Sequence, residues 1–290
     1  FNGVGSETHP GLSPTIPLLL FAMFQLKFAI ITPALITGSF AERVRFSSYL
    51  LFIVLFSIFI YAPLAHMTWH PEGILRKMGV LDFAGGTVVH MSAGFAALAG
   101  AIILGRRKTH QKNEKHEPAN VPYVLLGTGL LWFGWFGFNA GSALAANATA
   151  VLAFATTNTA SAAAAIAWIF FDAMRGKKPS ALGAAVGAVV GLVAITPGAG
   201  YVNIGQSIFI GTVASLVSNL AVNWKAKSTI DDTLDVFPCH GIGGMVGMFF
   251  TGVFANGVGL IYGTTNTFLI HIAALIGVSI FSLGGSFILF

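Results

Sequence analysis

Asp82-Phe83-Ala84-Gly85-Gly86-Thr87-Val88-Val89-His90 opens an apolar run, and Asp232-Thr233-Leu234-Asp235-Val236-Phe237-Pro238-Cys239-His240 opens another much later in the chain. In both, an aspartate precedes a histidine by eight residues at a helix entrance. Eight helical residues rise about 12 Å, and the hydrocarbon core of a bilayer is about 30 Å thick. If both runs cross a membrane, each imidazole lies near the midplane. An ionisable side chain at that depth is costly and is by default a functional candidate facing a cavity or a partner. The two aspartates have a simpler reading: carboxylates cap helix N-termini and favour the positive end of the dipole. They are expected to be structural supports first.

Composition makes the membrane reading necessary. Of 290 residues, 55% are hydrophobic and only 9% charged, with a mean hydropathy of +0.80. A soluble domain carries about 25% charge, so this chain cannot solvate a globular surface. Nine apolar stretches are long enough to span, at 16–39, 46–67, 83–105, 121–142, 149–172, 181–196, 205–224, 236–256 and 265–288. The single Cys239 excludes a disulfide framework and a Cys-based zinc site. The start of the chain has no signal-peptide pattern and reads as a polar loop.

The net charge of +5 does not imply nucleic acid, because the cations follow a topology. Arg43 and Arg45 follow the first run; Arg106, Arg107, Lys108, Lys112 and Lys115 follow the third. Arg175, Lys177 and Lys178 follow the fifth, and Lys225 and Lys227 the seventh. The opposite loops carry only Arg76 and Lys77, and Lys27 lies inside the first run. The positive-inside rule places the larger set in the cytoplasm, residue 1 outside and residue 290 inside. The third and eighth runs are then antiparallel, and their matched Asp–His entrances make an inverted repeat with a site at the midplane, a recurrent transporter design. The expected fold is an all-α polytopic membrane protein, an inverted-repeat helical bundle.

Four stretches carry a resemblance. Phe40-Ala41-Glu42-Arg43-Val44-Arg45-Phe46, Asp82 through His90, Trp135-Phe136-Gly137-Phe138-Asn139-Ala140-Gly141-Ser142 and Asp231 through Gly244 resemble signature segments of the ammonium transporter (Amt/MEP/Rh) family. The similarity runs through nearly all of the chain. It implies that residues 1–290 form a single transporter domain, with the nine runs as the third through eleventh of eleven spans, the first two spans and the cytoplasmic tail being absent. It implies a homotrimer in the cell membrane with one pore per subunit, a transporter rather than an enzyme, and no cofactor or metal.

By the same resemblance, His90 and His240 are the twin pore histidines, and Phe28 and Phe138 the stacked pair closing the outer entrance. Trp69, Ser142 and Phe24 form the outer ammonium site. Asp82 is the buried aspartate beneath it, and Asp235 matches an aspartate near the inner end. The charged loop 106–117 is expected to be a solvated charge run, and a PII-type signal protein is implied by the resemblance as a partner on the cytoplasmic face, where that loop lies.

The residues suit this chemistry. An aromatic face attracts a cation by about 0.5–2 kcal/mol, and a serine hydroxyl accepts an N–H bond. Desolvation favours the neutral form of a cation, so ammonia can pass while imidazoles hold or relay the proton. Lys27 departs from the family pattern beside Phe28, but neighbouring helical positions point apart, and Lys27 is expected to snorkel outward. Pro238-Cys239 is expected to bend its helix slightly. His66, His70, His110 and His116 are expected to be solvated, His271 to pack helices, and Gly243 and Gly247 to make a helix contact.

Three other functions compete. An Rh-like neutral gas channel has less need of the cation-attracting Trp69. A membrane ammonium sensor would carry a signalling tail beyond this segment. A metalloenzyme built on His90 and His240 lacks a third ligand and any HExxH-like motif.

Overall fold

The computed structural model describes residues 3–112 and 118–290. Phe1, Lys115 and His116, for which topology or solvation is expected above, lie outside the described residues, as does the rest of 113–117. Eight helical segments among the described residues are long and apolar enough to cross a membrane, and a ninth apolar helix is shorter. The chain is a multi-pass membrane protein.

It begins with a two-stranded antiparallel hairpin, β1 (Thr8–His9) and β2 (Ser13–Pro17), a small exception to the all-α expectation. Helix α1 (Leu18–Phe40) follows directly. Helix α2 (Phe46–Phe56) passes through a π-helical turn, Ser57–Tyr61, into α3 (Ala62–Trp69), so the second span is wound unevenly. The short α4 (Ile74–Met78) leads to a second π turn, Gly86–Met91, and α5 (Ser92–Leu104).

Beyond the one-turn α6 (Lys108–Gln111) come α7 (Val121–Asn139) and α8 (Ala148–Met174). Next are α9 (Ala181–Ile195) and α10 (Ile204–Ala226). A third π turn, Phe237–Ile242, enters α11 (Gly243–Phe254), and α12 (Thr265–Leu289) closes the described chain.

The helix starts are written locally. Asn120, Asn147, Ser180 and Asn203 each accept a backbone N–H two or three residues into α7, α8, α9 and α10, which satisfies donors the helix itself cannot. Lipid gives helices no hydrophobic drive to associate, so small residues must let backbones approach. In α9, a Cβ on Gly187 would sit 2.7 Å from Trp168 Cβ and 2.8 Å from the Ala164 carbonyl of α8. Gly243 packs on Val193 and Gly247 on Ala194, which is the helix contact their spacing predicts. Although α9 is the shortest span, most of its side chains are buried, so it is an inner element.

The positively charged loops meet at one end. Arg43 donates to the carbonyls of Ser39, Gly105 and Asp231, and Arg107 binds the Asp231 carboxylate. At the same end of α8 and α10, Arg175 reaches Asn219 and Lys177 reaches Asn223. This end is the inner one under the positive-inside reading.

Candidate functional site

At the opposite end, the hairpin residues Pro10, Leu12 and Pro14 wall an open pocket of about 400 Å³. Phe24, Phe28, Trp69, Asp82, Ser142 and Tyr201 line it as well. The hairpin is held there by Thr15 Oγ1, which donates to the Leu144 carbonyl at 2.7 Å. No sequence signal marks this wall, because the hairpin turn is irregular and its strands are too short to show alternation.

Phe28 is the floor of the pocket. Its ring lies 4.9 Å from Phe24, 5.6 Å from Trp69 and 4.5 Å from Phe138, centroid to centroid. The Phe28–Phe138 pair is tilted by 52°, a correction to the stacked arrangement expected. Phe28 is buried while Lys27 is exposed, so the two point apart as helical geometry requires. Ser142 donates its hydroxyl hydrogen to the Phe138 carbonyl at 2.8 Å, which leaves the oxygen free to accept.

Asp82 builds the next layer. One carboxylate oxygen accepts from the amides of Gly85 (2.8 Å) and Gly86 (2.7 Å). The other accepts from the amide (2.7 Å) and hydroxyl (2.5 Å) of Thr87. Gly85 has φ of 118°, a left-handed conformation that glycine adopts without Cβ strain. Trp69 Nε1 donates to the Asp82 carbonyl at 3.0 Å, so one residue fixes both the tryptophan and the start of the π turn.

Beneath Phe138 lie the histidines. His90 stacks 5.8 Å from Phe138 and 5.3 Å from Trp135, within 16° of parallel to both. His240 lies 5.4 Å from His90, and the two Nδ1 atoms are 3.3 Å apart. Two facing ring nitrogens bond only when one donates and the other accepts, so the pair must hold opposite tautomers. His90 is fully buried, and its Nε2 has no hydrogen-bond partner among the described residues. Each ring comes from a π turn, a feature frequent at functional sites. The backbones touch beside the pair: a Cβ on Gly94 would collide with Gly241, and one on Gly244 would lie 3.2 Å from His90 Cβ.

The model of the Ammonium Transporter Family matches residues 7–290. The chain belongs to the ammonium transporter family. An ammonium transporter of Aquifex aeolicus is 50% identical over 287 residues, covering 97% of this chain and 65% of that protein. The crystal structure of Candida albicans Mep2 superposes with a TM-score of 0.92 at 37% identity, over 96% of this chain and 65% of that one. A structure described as a sensor Amt protein superposes with a TM-score of 0.88 at 28% identity, over 98% of this chain and 77% of that one. The chain thus spans about two thirds of the length of the first two proteins. All four signature stretches lie within the family match.

The inner end repeats the Asp82 device in weaker form. Asp232 is fully buried and accepts from the Phe237 amide at 2.7 Å, while its other oxygen has no partner among the described residues. Burial pushes this carboxyl up to about 6 despite the nearby Lys225 charge. Asp235 has φ of 57° and forms an ion pair with Lys225 at 2.6 Å.

Asp231, to which the sequence reading gives no role, is the keystone of this end. Arg107 donates to it through its backbone at 2.7 Å and its guanidinium at 2.9 Å, and Arg43 lies at 3.9 Å. Burial opposes the ionised form, but Arg107 and Arg43 outweigh it and hold the carboxyl below its usual range. Two expectations for the loop after α5 need correction here. Arg107 is a buried partner rather than a solvated charge. His110 is not freely solvated, because Arg106 Nε donates to its Nδ1 at 2.9 Å. Burial and these cations lower the His110 pKa.

His271 packs helices as expected: Leu81 N donates to its Nε2 at 3.0 Å, so its Nδ1–H donates to the Met248 carbonyl at 2.9 Å. His66 and His70 stack 4.4 Å apart near the outer end of α3, with His66 exposed. Cys239 is a buried packing residue.

Proposed function

We propose that this chain transports ammonium across the cell membrane, capturing the ion in the outer pocket and passing ammonia, with or without its proton, along the histidine pair. One observation carries the reading: the pocket bearing Trp69 and Ser142 opens over the Phe28–Phe138 barrier, and the His90–His240 pair lies directly beneath. Trp69, Phe24 and Phe28 offer ring faces to a cation, and Ser142 offers an oxygen to an N–H. The barrier excludes the hydrated ion, whose transfer to an apolar interior costs at least several kcal/mol. Losing the proton removes most of that cost. A neutral ammonia then meets a buried, unpartnered His90 Nε2, which can donate or accept according to tautomer. Because the two imidazoles share one proton between their Nδ1 atoms, a switch at one ring propagates to the other.

Asp82, Asp232 and Asp235 act as supports that hold the two π turns and the inner loop in this reading. Orientation follows the cations, with the pocket outside and Asp231 inside. A homotrimer suits the exposed apolar stripe of α7, Tyr123, Leu126, Leu130 and Phe133, which recurs at helical spacing on one side. The inner loops offer a charged surface to a PII-type signal protein.

A membrane sensor is the second reading, favoured by the fold likeness to a structure described as a sensor Amt protein. Purified protein in liposomes separates the two. A transporter produces ammonium-dependent charge movement or internal alkalinisation, and a pure sensor produces neither.

A further inference from the structure

His90, His240 and His271 are all buried, and the conduit uses only the first two. His271 projects from α12 and does not line the outer pocket. Its place is shaped for a ring: Gly252 of α11 faces it, and a Cβ there would lie 3.0 Å from His271 Cβ and 3.1 Å from Cγ. Both ring nitrogens are committed. Nδ1–H donates to the Met248 carbonyl of α11 at 2.9 Å, and Nε2 accepts from the Leu81 amide at 3.0 Å. The first bond ties α12 to α11. The second reaches a loop 190 residues away in the chain, one position before Asp82.

That loop is held by its amides rather than by a helix. Val80 N donates to the Leu75 carbonyl at 3.0 Å, Leu81 N to His271, and Phe83 N to the Pro197 carbonyl at 3.0 Å, just beyond α9. Asp82 therefore stands between two anchors that come from different helices. Its carbonyl in turn accepts from Trp69 Nε1 at 3.0 Å, and Trp69 lines the ammonium pocket. Without the imidazole, the Leu81 amide has no acceptor, and an unmade bond costs more than a made one contributes. The loop must then turn to satisfy that amide, and the Asp82 carbonyl moves with it.

We infer that His271 is a positioning residue for ammonium capture: through the Leu81 amide it sets the Asp82 carbonyl, and through that carbonyl the Trp69 ring. The inference rests on the capture reading of the outer pocket. The π turn below keeps its own four bonds to the Asp82 carboxylate, so conduction past His90 and His240 depends on His271 less than capture does. A histidine that only joined α11 to α12 would act differently. Its loss would lower the yield of folded protein and leave the ammonium dependence of that protein unchanged.

Proteoliposome flux across a range of ammonium concentrations, normalised to folded protein, tests this. His271→Asn is too short to reach Leu81 but retains a donor for Met248, and His271→Leu breaks both bonds. Each should raise the half-saturating ammonium concentration about five-fold, with maximal flux changed less than about two-fold. His271→Gln carries an acceptor and a donor on one planar amide, so it should restore the half-saturating concentration to within about two-fold of the parent. In a Trp69→Leu background, His271→Asn should add no further rise, because both changes act through one contact. Exchange of the Leu81 amide hydrogen should be faster in His271→Asn than in the parent or His271→Gln. A transporting parent whose folded Asn and Leu variants keep its half-saturating concentration would overturn the inference alone. Failure of Gln to restore capture would overturn it too. A parent without ammonium-dependent flux would overturn the capture reading, and this inference with it.

Discussion

His90 and His240 stand 150 residues apart in the chain, yet their Nδ1 atoms lie 3.3 Å from each other in the interior. Each is delivered by a π turn that begins just after a buried aspartate, Asp82 or Asp232. The meeting depends on glycine: α5 and the turn before α11 approach so closely that a Cβ on Gly94 would collide with the Gly241 backbone, while one on Gly241 would lie 2.8 Å from the Phe237 ring. Overpacking of this kind costs about 1–3 kcal/mol. Gly94→Ala should therefore lower the melting temperature, widen the pair and reduce ammonium flux. Flux in liposomes, normalised to folded protein, measures this.

Asp82 accepts four hydrogen bonds, two to each oxygen. In Asp82→Asn, an amide group must face donors on one side, so two bonds to a charged group are lost. Each is worth about 1.5–3 kcal/mol. The variant should melt well below the parent protein and lose transport. An unchanged melting temperature would show that the cap does not hold the π turn.

Trp69 is held by the Asp82 carbonyl and lines the outer pocket, but no step after capture uses it. Trp69→Leu should raise the ammonium concentration for half-maximal flux, by up to about 30-fold if a cation–π contact of 2 kcal/mol is lost. Flux of neutral ammonia should rise relative to capture at low ammonium. An unaltered concentration dependence would remove the capture role.

Asp231 and Asp232 are adjacent and have opposite pH signatures. Burial favours the protonated Asp232, so the folded chain holds a proton near pH 4 to 6 that the unfolded chain has released. Its effect on stability is therefore a loss as pH rises through that window, complete above about 6. Asp232→Asn should abolish this dependence and raise stability at pH 7 by about 2–3 kcal/mol at most. Asp231 is held below the usual range, so its contribution is fully present at neutral pH and lost only as pH falls into strong acid. Asp231→Asn should destabilise at pH 7 by about 3–5 kcal/mol, because two buried arginines lose their counter-charge. Thermal melts of both variants, carried from neutral pH down into acid below the ordinary carboxylate range, check the signs.

The spans, the topology and the histidine pair were legible because each rests on a local or repeated pattern. Apolar runs report their own length, loop cations report sidedness, and the eight-residue Asp–His spacing occurs twice. The π turns were not legible, since one extra residue per turn leaves no trace in an all-apolar run. Arg107 read as part of a solvated charge run because its partner Asp231 is 124 residues away. Nothing in Arg-Arg-Lys distinguishes the cation that is buried from those that are not. The Phe28–Phe138 tilt of 52° depends on side-chain packing from three helices and has no sequence signature. Lys27 was legible for the opposite reason: a single step around α1 separates it from Phe28, whatever the neighbours do.

The most direct test replaces His90 and His240 together with alanine and follows proteoliposomes after an inward ammonium gradient, by charge movement and internal pH. The parent protein should give a saturable signal, and the folded double variant should lose it or lose its selectivity for ammonium over potassium. A double variant that transports at the parent rate with the parent selectivity would contradict a conduit built on these two rings.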